Sequence, residues 1–339
     1  MIKVVSPSNI AIVKYWGKHG RQLPRNASVS FTLSNAVSET TMMFSPKAGP
    51  KRNIHFNLDG IEKISFAEKI DRYFDSITDY MPFLADYDFH FESHNTFPHS
   101  SGIASSASGM SAVAMALCEM QRRLENKEEL DLQRVSLLSR LGSGSACRSV
   151  FPDMAVWGKH QDWEGSSDEY AICISHHLHD VFKDYHDDIL IVSDREKSVS
   201  STAGHGLMES NPYAPTRYAQ ANDNMKRLKS ILASGDVEAF GQLAEREALT
   251  LHALMMSSDP SFLLIQPATV VVIQKLREYR QETGLPLYFT LDAGPNVHLL
   301  YPDAVAEKAS AFIISELMPL VENGRLLPDQ VGKGAVIVS

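Results

Sequence analysis

The sequence of 339 residues predicts an α+β protein built as two lobes. Three observations predict it. Short strand-like segments and longer helix-like segments follow one another along the whole chain. The composition, 44% hydrophobic and 22% charged, is that of a globular chain with a large core, and the length suits one large or two medium domains. The pattern also changes near residues 180–190, where one short apolar strand gives way to long helices.

Taken in order, Thr40 to Ser45, Asn53 to Leu58, Asp88 to Glu92 and Tyr170 to Ser175 read as strands. Between them, Phe66 to Tyr80, Ser106 to Leu124 and Leu132 to Leu141 carry helical patterns. The second of these ends on Arg122 and Arg123, cations that suit a helix C-terminus. Past Asp187, Asp188 to Ser193 (DILIVS) is a short apolar strand. Helical patterns follow over Pro215 to Leu232, Val237 to Met256 and Ala268 to Thr283. Leu287 to Leu291 and Val297 to Tyr301 read as strands flanking a Gly294-Pro295 turn. Ala304 to Leu317 reads as helix, and Ala335 to Val338 as a closing strand.

Charge and targeting features exclude several classes. A net charge of −9 gives no general attraction to nucleic acid or anionic lipid, so binding a polyanion requires a local cluster of positive groups. The N-terminus, MIKVVSPSNIAIVKYWGK, has no apolar run suited to a signal peptide. No segment reaches the roughly 18 apolar residues that a membrane helix needs. Cys118, Cys147 and Cys173 are widely spaced, with neither a zinc-like pairing nor a disulfide framework. The expectation is a soluble protein in a reducing cytoplasm.

Four segments carry candidate chemistry. Asn95 to Gly109 (NTFPHSSGIASSASG) crowds small and hydroxylated residues directly before a helix. Gly102 permits unusual backbone angles, and Ser105, Ser106 and Ser108 add hydroxyls. The first helical turn adds unpaired N–H groups and a positive dipole end, so the segment is either an anion cradle for nucleotide phosphates or a Ser-rich loop with a plain cap. It is not a Walker A loop, because no Gly-Lys-Ser/Thr ends it.

Gly142 to Ser149 (GSGSACRS) sets Arg148 beside small hydroxyl residues. A guanidinium there grips a carboxylate or phosphate through paired hydrogen bonds, or else decorates a tight surface turn. Lys14-Tyr15-Trp16-Gly17-Lys18 holds two lysines and a tyrosine, which suits a diphosphate or simply a solvated face. Asp292, in Leu291-Asp292-Ala293-Gly294-Pro295-Asn296, ends an apolar strand, as a functional carboxylate or as a turn-initiating residue.

Together these segments resemble the diphosphomevalonate decarboxylases, within the GHMP kinase superfamily. The residues that carry the resemblance are Asn9 to Lys18, Pro98 with Gly102-Ile103-Ala104-Ser105-Ser106-Ala107, Gly142 to Arg148 with Ser149, and Asp292-Ala293-Gly294-Pro295-Asn296. Lys197 with Val199-Ser200-Ser201 and Gly204 is a fifth match. The Ser-rich loop is shared across the superfamily, whereas the arginine and Asp-Ala-Gly-Pro-Asn motifs belong more narrowly to the decarboxylases. Three departures stand out: His99-Ser100-Ser101 follows the loop proline, where the family usually has Thr-Ala-Ala; His205 follows the glycine of the fifth motif, where the family usually has Met; and Arg25 replaces a more often apolar residue.

The resemblance implies a fold, a reaction and a set of roles. The fold is a ribosomal protein S5 domain 2-like N-terminal lobe over residues 1–186 and a ferredoxin-like α/β lobe over 187–339, with the active site in the cleft between. ATP phosphorylates the 3-hydroxyl of mevalonate 5-diphosphate; phosphate and carbon dioxide then leave, giving isopentenyl diphosphate and ADP. Asp292 contacts the 3-hydroxyl, its basicity raised by neighbouring substrate anions. Arg148 grips the C1 carboxylate. Ser143 and Ser145 bond substrate, Tyr15 and Lys18 hold the 5-diphosphate, and Asn9 supports the arginine and carboxylate. Ser105, Ser106 and Ser108, with Gly102 and Ala104, hold ATP, and Ser106 serves its Mg2+. Lys197 and Ser201 reach ATP or substrate from the other lobe. A homodimer is expected.

Rival readings are a small-molecule kinase, a monophosphate decarboxylase, a non-catalytic binding protein and a serine hydrolase. The pairing of Asp292 with Arg148 speaks against simple phosphorylation. The retained aspartate and Ser-rich loop speak against a non-catalytic protein, and no Ser-His-acid arrangement is identifiable.

Overall fold

Two long strands with little alternation, Ile2–Val13 and Ser28–Pro46, form the spine of the protein. The computed structural model describes residues 1–97, 103–195 and 201–339. Among them, an eight-stranded sheet runs in the order Val336–Ile337, Ile2–Val13, Ser28–Pro46, Tyr87–Asn95, Ile54–Leu58 and Ile61–Glu62. Met154–Trp157 adds to the first residues of Ser28–Pro46, and Ala171–Cys173 adds to Met154–Trp157. The sequence predicts only the far end of Ser28–Pro46 as strand, because only there do buried and half-buried residues alternate. Its first six residues and the last eight of Ile2–Val13 are buried on both faces, which erases the period-two signal.

Helices α1 (Ile64–Ser76), α2 (Ser105–Leu124) and α3 (Leu132–Gly142) cover one face of this sheet. Helix α2 buries nearly every residue from Ala107 to Met120, as expected of a helix wedged between a sheet and a second helix.

A second sheet, Tyr288–Thr290, Val297–Tyr301, His186–Leu190 and Leu326–Leu327, is antiparallel throughout. Its helices are α4 (Ser201–Gly206), α5 (Ala214–Ser234), α6 (Val237–Met256), α7 (Pro267–Thr283) and α8 (Ala306–Phe312). The helix predicted over Ala304 to Leu317 is a composite: a 3-10 turn, then α8, then a π turn over Ile313–Leu317.

Helix α6 packs on Tyr288–Thr290 of its own sheet and on Ile2–Val13, and α5 packs on α6, Ile2–Val13 and Ser28–Pro46. One apolar cluster therefore joins Ile12, Phe31 and Trp163 to Ile189, Phe240 and Leu300. Each such side chain removed from water contributes about 1.5–3 kcal/mol. The predicted closing strand pairs Val336 with Val5 and Ile337 with Val4, so the end of the chain returns to the first sheet.

Candidate active site

Where Ile2–Val13 ends, the chain enters a cleft of about 220 Å3 between the two sheets. The cleft is lined by the segments singled out by their chemistry: Asn9, Lys14, Tyr15 and Lys18 from the first strand and its exit, Ala104 and Ser106 from the start of α2, Gly142 to Ser145 with Arg148, and Asp292 with Ala293. Among its lining residues stand four cations, Lys14, Lys18, Lys69 and Arg148, against one carboxylate. This is the local positive cluster that an acidic protein needs to bind an anion.

Arg148 is 2% exposed, so it decorates no surface turn. A register shift between Pro7 and Asn9 turns Asn9 toward it. The Arg148 Nε and Nη2 donate to Asn9 Oδ1 at 3.4 and 3.3 Å, and Nη1 donates to Ser28 Oγ. Asn9 Nδ2 in turn donates to Ser149 Oγ at 2.8 Å and to the Ser145 carbonyl at 3.2 Å. The guanidinium also lies 5.8 Å from the Trp157 ring centroid. Burial lowers its pKa, while Asp292 and Tyr15 oppose that shift.

Asp292 follows the strand Tyr288–Thr290, and its Oδ1 accepts from Lys14 Nζ at 2.9 Å. The Lys14 side chain is 2% exposed and that of Asp292 25%. One sequence-based expectation is corrected here. Lys14 is no solvated lysine and is engaged with a carboxylate rather than aimed at a diphosphate. Among the protein's own groups, burial pushes the Asp292 carboxyl up, but Lys14, His298 and Arg148 together outweigh burial and hold it below the usual range.

Tyr15 lies edge-on to Trp157 with ring centroids 4.6 Å apart, and burial keeps its phenol protonated by pushing its pKa up. A Cβ on Gly144 would come within 2.9 Å of Trp157 and 3.0 Å of the Tyr15 hydroxyl, so only glycine fits there. Lys18 Nζ donates to Gln22 Oε1 at 2.9 Å; burial first, then Lys69, lowers its pKa. Lys69 comes from α1, in no recognisable motif, and only the fold brings it to the cleft.

His205 is 7% exposed. Its ring lies 4.3 Å from that of Tyr15 and 4.5 Å from that of Trp16, and its Nδ1 accepts the Gly17 N–H at 2.9 Å. The departure from methionine thus sits in the wall of the cleft.

Helix α2 begins after Ala104, which holds a left-handed φ of 48° and has no polar side chain with which to cap it. The Ala107 N–H donates to the Ala104 carbonyl at 2.8 Å, so the N–H groups of Ser105 and Ser106 are the ones placed to meet an anion. Ser106 Oγ is exposed and lies 3.1 Å from Ser143 Oγ, which joins the two hydroxyl-rich segments. Ser106 offers the hard oxygen donor that Mg2+ prefers. Ser105 is half-buried at the helix start.

Ser108 is a correction. It is fully buried, 2.7 Å from Ser38 Oγ, and donates to the Ser105 carbonyl, so it faces the sheet and not the cleft. Two residues past Ser106, it points to the opposite side of the helix from the hydroxyl that lines the cleft. Gly102, Lys197 and the His99-Ser100-Ser101 departure lie outside the described residues, as does the side chain of Ser201.

Fold and site together define a two-lobed α+β enzyme of the GHMP kinase type, whose cleft joins the start of a helix to a carboxylate–cation pair. Residues 6–171 match the model of the diphosphomevalonate decarboxylase-like N-terminal domain, and residues 188–330 that of the mevalonate 5-diphosphate decarboxylase C-terminal domain. The chain belongs to the diphosphomevalonate decarboxylase family. A diphosphomevalonate decarboxylase of Ganoderma lucidum is 29% identical over 337 residues, covering 94% of this chain and 82% of that protein. A phosphomevalonate decarboxylase of Haloferax volcanii is 30% identical over 295 residues, covering 85% of this chain and 84% of that protein. A solved structure described as MDDEF in complex with MVAPP, AMPPCP and magnesium superposes with a TM-score of 0.84 at 27% identity, over 100% of this chain and 98% of that one.

Proposed function

We propose that this chain catalyses the ATP-dependent decarboxylation of mevalonate 5-diphosphate to isopentenyl diphosphate, with release of ADP, phosphate and carbon dioxide. The observation that carries it is the convergence of Arg148 and Asp292 on one cleft that the start of α2 also lines.

The roles follow from the geometry. Lys14 keeps Asp292 ionised, so its carboxylate accepts a hydrogen bond from the substrate 3-hydroxyl and orients it. Three of the five N–H groups of Arg148 are engaged by Asn9 and Ser28, which leaves one on each terminal nitrogen for the C1 carboxylate. That grip fixes the departing carboxylate against the breaking bond, so catalysis is largely positioning. Lys18, Tyr15 and Lys69 suit the 5-diphosphate, and Ser143 and Ser145 bond the substrate between. Ser105, Ser106 and the first-turn amides hold the ATP phosphates. ATP supplies the phosphoryl group that turns the 3-oxygen into a leaving group, and Mg2+ offsets the phosphate charge.

The same proposal includes two lobes that divide near 186–187, with the closing strand Val336–Ile337 returned to the first rather than kept in a 187–339 lobe, a homodimer and a cytoplasmic location. Among the described residues no helix is long and apolar enough to cross a membrane. Coupled ADP release, run in parallel with mevalonate, its 5-phosphate and its 5-diphosphate, tests the activity, with carbon dioxide trapped from carboxyl-labelled substrate. Turnover with the 5-diphosphate and release of the label are expected. ADP without labelled carbon dioxide would indicate a kinase instead.

A further inference from the structure

Lys14 and Asp292 come from different sheets, yet their side chains meet at 2.9 Å. Something must fix that separation, and helix α6 touches the backbone of both. Past Val13, Lys14 has no strand partner for its own N–H and C=O, and both groups are buried with the residue. The N–H donates to Glu247 Oε2 at 2.8 Å. The C=O accepts from Arg217 Nη2 at 3.1 Å and from Asn26 Nδ2 at 3.0 Å.

Glu247 is wholly buried and takes four donors. Arg217 reaches both of its oxygens, at 2.8 and 2.5 Å, and Asn224 adds a bond of 2.5 Å to that from Lys14. A buried ion pair is weak evidence of stability, because an apolar pair holds two helices as well. What charge adds here is a saturated, directional clamp on one backbone unit, that of Lys14.

Five residues on, about 7.5 Å along the same helix, His252 Nε2 lies 3.0 Å from the Asp292 carbonyl. Burial lowers the His252 pKa to about 4, so the ring is neutral, and a neutral ring facing a carbonyl donates from Nε2.

We propose that Glu247 and His252 are positioning residues for the decarboxylation, and that α6 is the rigid spacer that holds Lys14 against Asp292 across the interlobe cleft. The inference rests on the activity proposed above. Neither residue lines the cleft; Glu247 acts through the backbone of Lys14, which holds the Asp292 carboxylate, and His252 through the backbone of Asp292 itself.

The test compares His252→Leu, His252→Gln and His252→Asn with the full-length wild type, reading kcat and the KM of ATP and of mevalonate 5-diphosphate, with thermal melting as a fold check. The Gln amide reaches the ring Nε2 position, and the Asn amide stops short. His252→Leu is expected to lower kcat about 10–100-fold with both KM values within about twofold. His252→Gln restores most of kcat, and His252→Asn does not. Equal kcat in the Gln and Asn variants overturns the inference, even if the Leu variant fails to fold; so does a loss confined to KM. An inactive wild type overturns the activity itself, which separates the two failures.

Discussion

Lys14 and Asp292, 278 positions apart in the chain, form an ion pair with 2.9 Å between Nζ and Oδ1. It brings the carboxylate that lines the cleft under the control of a lysine at the exit of a strand of the other sheet. Burial is the largest single influence on the Asp292 carboxyl and raises its pKa, but Lys14 is the first of the cations that reverse it.

Replacing Lys14 therefore moves a pH profile. With the ionised Asp292 as the proposed acceptor of the substrate hydroxyl, activity is expected to fall as pH drops through its pKa. In Lys14→Met, burial meets less opposition and that pKa rises. The acid limb of kcat/KM is expected at higher pH than in wild type. Superimposable profiles would reject the coupling. Asp292→Ala, run beside it, is expected to abolish turnover while calorimetry still detects substrate binding.

Arg148→Lys keeps the charge and loses the fork. Asn9 Oδ1 and Ser28 Oγ are left without their guanidinium partner, and a buried polar group so stranded costs about 1–3 kcal/mol. An ammonium also cannot make the paired contact to a carboxylate. Most of kcat/KM is expected to disappear, together with a fall in melting temperature; retention of both in a steady-state assay and a thermal melt would remove Arg148 from its role.

Ser106 and Ser108, two residues apart, separate binding from folding. Ser106→Ala removes an exposed hydroxyl at the cleft and is expected to raise the KM of ATP with the melting temperature unchanged. Ser108→Ala removes one of two partners of the Ser38 hydroxyl, which keeps its 2.6 Å bond to Asn95 Oδ1, so melting falls, by about 0.5–1.5 kcal/mol in stability, and the KM of ATP stays put. The opposite assignment of effects would return Ser108 to the ATP site.

His205→Met restores the residue that the family resemblance leads one to expect. It also removes the acceptor of the buried Gly17 N–H and one ring of the Tyr15–His205–Trp16 stack. Because Gly17 lies between Tyr15 and Lys18, the KM of the diphosphate substrate is expected to rise several-fold with that of ATP nearly unchanged. An unaltered diphosphate KM in the same assay would mean that the loop holds without the imidazole.

Arg148, Asp292 and Ser106 were legible in the chain because each sits in a short run whose neighbours serve the same chemistry: small residues around a guanidinium, a turn after a strand, hydroxyls before a helix. The helices Val237–Met256 and Pro267–Thr283 were legible because local periodicity reports them. The strands Ile2–Val13 and Met154–Trp157 were not, since burial on both faces removes the alternation that a reader uses.

By itself the sequence determined which residue types were on hand: a guanidinium, a carboxylate, a serine-lined helix start and a lysine-rich strand exit, in an order that matches one family. Only the tertiary structure decided which lysine meets the carboxylate, which serine turns away, and which helix spans both. The reason is physical. Chemical identity is local to a side chain, whereas burial, ion pairing and the pKa that follows depend on partners as far apart in the chain as Lys14 and Asp292, or Lys14 and Glu247, which only folding brings together.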